Sequence, residues 1–97
     1  MTETDELIER VSKTLGLPPE KLLSGSLKEY LKSRLRSTRA EIHEIETKYN
    51  IKKPITLEEK IKQGTTPEHP AWEDLILYEN LQKQAEKIQQ ELDSIPN

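Results

Sequence analysis

The chain has 97 residues, 34% of them charged, a formal net charge of −3, no Cys and no Phe. Missing Cys excludes disulfide frameworks and thiolate sites, and the mild negative charge argues against non-specific binding of polyanions by the whole chain. With 23 Leu, Ile and Val residues the length suits one domain, but a compact globule of this size would have a thin core, whereas a helical hairpin needs only an apolar seam.

The first predicted helix runs over 4–15, where Leu7, Ile8, Val11 and Leu15 share a face and Gly16 is a stop. Pro18 and Pro19 start the next, predicted over 19–49. Its stripe is Leu27, Leu31, Leu35, Thr38, Ile42, Ile45 and Tyr49. Ser26-Leu27-Lys28-Glu29 reads as a capping box beside Gly25, so a break at 24–26 is the alternative to one continuous helix, which is preferred. Leu23, Leu27, Tyr30 and Leu31 widen the apolar arc, and the first helix is expected to cover them.

Lys53-Pro54 opens the connection, and the capping box Thr56-Leu57-Glu58-Glu59 predicts a short helix over 56–63 before Gly64. The last helix is predicted over 70–94, with the seam Tyr78, Leu81, Ala85, Ile88 and Leu92. The expected fold is therefore all-α: an antiparallel, coiled-coil-like hairpin of two long helices with a short N-terminal and a short linker helix. A two-helix seam with charged flanks also invites two more helices, so a dimeric bundle is expected.

At 100° per residue, Trp72, Leu75 and Ile76 lie roughly opposite the last helix's seam, leaving its first turns apolar on two sides. Either Ile51, Ile55, Leu57 and Ile61 of the linker fold over the second side, or a partner protein does. In the second case Trp72, Leu75, Ile76 and Tyr78 are the anchors, since buried aromatic residues dominate interface energies. Asp74 falls on the seam side and needs a partner, with Lys48, Lys52 and the Tyr49 hydroxyl in reach.

No catalytic constellation is present. His43 and Glu46 are spaced i,i+3, but the Glu-x-x-His order of carboxylate di-metal bundles is missing. His69 is expected to cap the last helix or to stack near Trp72. The glycines form no phosphate loop and the serines have no neighbouring base. No enzyme activity, metal or cofactor is expected. Lys28, Lys32, Arg36 and Arg39 form a basic stripe beside the seam. It serves as a flank for the acids of the last helix or of a second copy, or alternatively for nucleic-acid phosphates in a transcriptional regulator. No run approaches membrane-spanning length and Met1–Glu6 is acidic rather than signal-like, so a cytoplasmic location is expected.

Two stretches carry a resemblance. Glu6-Leu7-Ile8-Glu9-Arg10-Val11, Leu15-Gly16-Leu17-Pro18-Pro19-Glu20-Lys21-Leu22-Leu23 and Leu27-Lys28-Glu29-Tyr30-Leu31 resemble the helix pair of ribbon-helix-helix antitoxins. That family places a strand before its first helix, and Met1–Asp5 lacks the alternation of one. Lys48-Tyr49-Asn50, Leu57 to Gly64, Ala71-Trp72-Glu73-Asp74-Leu75 and Tyr78-Glu79-Asn80-Leu81 look like small prokaryotic proteins of toxin–antitoxin loci. The resemblance implies an antitoxin-like protein that binds and masks a toxin. A structural coiled-coil adaptor is the plainer reading of the same stripes.

Overall fold

The computed structural model describes residues 2–96. Four helices follow one another: α1 (Glu3–Leu15), α2 (Pro19–Tyr49), α3 (Pro54–Lys62) and α4 (Glu68–Ser94). No strand is present among the described residues. The expected all-α hairpin is thus the observed fold, drawn out to 60 × 24 × 18 Å.

Helix ends follow local chemistry. Thr2 and Asp5 form a capping box on α1: the Thr2 hydroxyl accepts from the Asp5 amide at 3.2 Å, and the Asp5 carboxylate accepts from the Thr2 amide at 3.4 Å. Gly16 ends α1 in the left-handed region (φ 68°), where its amide reaches the Lys13 carbonyl at 3.3 Å. Pro19 opens α2 at a position where its missing N–H costs nothing. α2 then runs unbroken through Gly25. The Ser26 box is not used as a cap, and Ser24 bonds back to the Lys21 carbonyl at 3.4 Å within the same helix. Asn50, at φ 53°, ends α2.

α3 starts two residues earlier than predicted, at Pro54, because Lys53 is held extended ahead of a proline and becomes the cap residue. It ends at Lys62, one residue before the predicted limit. In α4, His69 is non-helical (φ −114°, ψ 124°) and the His69–Pro70 bond is cis. Regular helix therefore begins at Pro70, the predicted start.

The seam contacts fix the direction of the hairpin. Tyr49 and Lys48 meet Asp74, Glu46 meets Tyr78 and Arg39 meets Gln89. Position rises along α4 as it falls along α2, so the two helices are antiparallel. The same register sets the end of α4 opposite the turn of α2 around residues 30–34. About three turns of α2 project beyond it and pack with α1.

The core sits at the other end, where α3 lies against α4. Ile45, Ile51, Leu57, Ile61, Ala71, Leu75, Tyr78 and Leu81 form one buried cluster, flanked by Ile42 and Tyr49. Further along the seam only Leu35, Thr38 and Ile88 are buried. The buried Thr38 and Ser12 hydroxyls are satisfied locally, Thr38 by the Arg34 carbonyl at 2.9 Å and Ser12 by the Ile8 carbonyl at 2.7 Å.

Candidate functional site

The first turns of α4 sort their apolar residues by direction. Ala71, Leu75 and Tyr78 turn toward α3 and α2, whereas Trp72 and Ile76, one turn apart, share the outward face. Trp72 keeps 39% of its surface exposed and Ile76 59%. Leu75 (4%) and Tyr78 (0%), expected beside them as partner anchors, are core residues. Ile51, Leu57 and Ile61 bury them, which is the linker covering considered from the sequence. Ile55, the fourth residue of that covering, is instead exposed. Of the four expected anchors, two can touch a partner.

A polar clasp ties α2, α3 and α4 together at this end. The Asp74 carboxylate accepts from the Tyr49 hydroxyl and from the Lys48 ammonium at 2.9 Å, two of the three partners foreseen for it. The Tyr78 hydroxyl donates to Glu46 at 2.9 Å. Lys60 of α3 donates to the Tyr49 carbonyl at 2.7 Å and the Asn50 carbonyl at 3.5 Å, so a cation satisfies the open C-terminus of α2. Hydrogen bonding from Tyr49, then Lys48, lowers the pKa of Asp74. Burial, then the bond to Asp74, raises that of Tyr49, and the Asp74 bond raises that of Lys48.

A depressed carboxylate stabilises the fold above its unfolded pKa, near the ordinary 3.8, and that contribution disappears as pH falls through the lower folded value. Asp74→Asn should therefore lower the melting temperature at neutral pH and flatten its decline below pH 4. Thermal melts of both proteins across that range check this.

The remaining candidates are dispersed. His43 lies 3.5 Å from the Thr47 hydroxyl, while Glu46 is engaged by Tyr78. His69 neither caps α4 through its side chain nor is buried; it lies 3.5 Å from the Glu73 carboxylate on the surface. Among the described residues no group of three or more His, Cys, Asp or Glu could hold a metal ion.

The basic stripe is mostly engaged within the chain. Lys32 pairs with Glu29 at 3.6 Å and Arg39 donates to Gln89 of α4 at 3.3 Å, while Lys28 is half-buried and also has a partner. Arg36 is exposed. The predicted flank across the seam exists at Arg39, though it meets an amide where an acid was expected. Beside it, Arg39, Ile42, Pro54, Gln82 and Glu86 line a shallow groove of about 590 Å³.

Sequence reasoning missed two surfaces. Leu77 stands exposed above a small groove shared with Ile45, Lys48 and Asp74. On the projecting arm, Leu7, Leu15, Leu17, Leu23, Leu27 and Tyr30 are all open, although α1 was expected to cover the α2 members of this set. The signal for them was the 3–4 spacing of Leu23, Leu27 and Tyr30 on a helix longer than its partner.

Over residues 1–97 the sequence matches the family described as Uncharacterized protein MJ0235 family. The chain belongs to that family. No curated protein and no solved structure matches it. The family's description names no toxin, antitoxin or DNA site. No helix of the described residues is long and apolar enough to cross a membrane.

Proposed function

We propose that this protein is a non-enzymatic interaction module that binds a protein partner at the bend of its hairpin, with Trp72 and Ile76 as the anchors. The observation that carries the reading is their placement: a Trp and an Ile one turn apart, exposed, directly above a packed and clasped core. Interface energy concentrates in aromatic residues held by a rigid support, because little side-chain freedom is lost on docking. Binding of this kind acts by covering the partner's surface and needs no reaction. Masking of a toxin, implied by the sequence resemblance, is the specific form proposed.

Co-expression with the product of the neighbouring reading frame tests it. Capture of that protein, with relief of its toxicity, is the expected result. Trp72→Ala should weaken capture by about 30-fold, the effect of losing one interface hot spot, with helix content unchanged. Equal loss of capture and helix content would make Trp72 a structural residue only, and a neighbour that neither binds nor harms the cell would remove the toxin reading.

A further inference from the structure

Where α2 runs past the end of α4, Glu20, Leu23, Leu27, Tyr30 and Arg34 follow one another at spacings of three and four and fall within an arc of about 80°. All five are exposed in the structure. Leu23 keeps 48% of its surface open, Leu27 47% and Tyr30 64%. α1 lies to one side of this stripe, where Ser24, Lys28 and Leu31 are half-buried, and leaves it uncovered. Neither the Glu20 nor the Arg34 side chain has an ion-pair partner among the described residues.

We infer that this stripe is the twofold interface of a homodimer in which α2 packs antiparallel against α2 of a second copy. Three observations select a second copy as the occupant. First, the stripe is self-complementary. With the axis at Leu27, Leu27 meets Leu27 of the second copy, Leu23 meets its Tyr30 and the acid Glu20 meets its base Arg34. A twofold axis requires such a palindromic pattern, and an unrelated partner would not.

Second, the stripe opens where α4 has ended. It lies roughly 60° around α2 from the seam face. The continuation of that face at Ser24, Lys28 and Leu31 is the half-buried side next to α1, so the second copy adds a helix beside α1. The two α1–α2 arms then form a four-helix cluster. Third, Leu23, Leu27 and Tyr30 supply an open apolar centre for such an interface, and Leu7, Leu15 and Leu17 stand open beside them on the same arm. The seam itself stays intramolecular. The two bends would lie about 65 Å apart at opposite ends of the assembly, making it a bivalent version of whatever the bend binds.

Sedimentation equilibrium of the full chain, from low micromolar to submillimolar concentration, tests the inference independently of any partner. A monomer–dimer equilibrium is expected. Leu27→Arg places two cations on the axis and should leave a monomer of unchanged helix content. Glu20→Arg and Arg34→Glu should each raise the dimer dissociation constant about tenfold, since the twofold makes every substitution twice, and the double exchange should restore dimerisation. As the chain has no Cys, Leu27→Cys should cross-link copies under mild oxidation. A native monomer at all concentrations, a dimer indifferent to Leu27→Arg, or charge exchanges without rescue would each overturn the inference. None of these outcomes depends on Trp72.

Discussion

Tyr78→Ala should destabilise the protein by about 3–5 kcal/mol, the usual cost of deleting a buried aromatic side chain. Tyr78 has no exposed surface and lies in the core cluster where α2, α3 and α4 converge. Its removal leaves a cavity at that junction and takes from Glu46 the hydroxyl that donates to it at 2.9 Å. In a chain of this size a loss of about 3 kcal/mol lowers the melting temperature by roughly 12–24 °C. Thermal denaturation followed by circular dichroism measures it, and a shift of only a few degrees would show that the bend can repack.

Tyr78→Phe separates packing from hydrogen bonding. It keeps the ring and should cost about 1–2 kcal/mol at neutral pH. Burial first, and the Glu46 bond second, push the Tyr78 hydroxyl up to about 12 from the ordinary 10. The folded pKa is raised, so this contribution is complete below pH 10 and is lost as pH climbs toward 12. Native protein should therefore weaken steadily above pH 10, and Tyr78→Phe should weaken less steeply. Tyr49 and Lys48, both raised as well, leave the variant with part of the alkaline slope. Parallel slopes for the two proteins would refute the assignment.

Leu57→Ala is the second large effect, about 2–5 kcal/mol. Leu57 is fully buried and, with Ile61, is the face by which α3 lies on α4. A nine-residue helix does not persist alone in water, so α3 exists through this contact. Loosening it should uncover Ile51 and Leu75 before the hairpin opens. Hydrogen exchange should then accelerate across Ala71–Leu81 while the amides around Leu35 and Thr38 stay protected. Ile55→Ala, on the exposed side of the same helix, is the control and should change stability by less than about 0.5 kcal/mol. Similar effects of the two substitutions would mean that α3 is not docked as described.

The bend shows why some of the candidate site was legible and some was not. A helical wheel places Leu75 away from the seam, which is correct, yet direction on a wheel does not say what lies beyond. α3 supplies that surface, so Leu75 is core while Trp72 and Ile76, a little further round α4, stay outside. Tyr78 reads as seam or anchor with equal ease until Glu46 and the linker are in place around it. The partners of Asp74 could be named because an acid on an apolar face must find a donor, and Lys48 and Tyr49 stand where a hairpin returns.

Local chemistry settled the elements. Apolar spacing of three and four, Gly16 and Asn50 as stops and Pro19 as a start depend on neighbours within a turn or two. The all-α hairpin follows from them. The local signals at Ser26 and Thr56, in contrast, offered helix starts that the structure does not use. Tertiary structure alone decided coverage, because whether a side chain is buried depends on elements that are distant in the chain. It put α3 over Leu75 and Tyr78, and it let α2 outrun α4, leaving Leu23, Leu27 and Tyr30 open where the sequence pattern promised a lid.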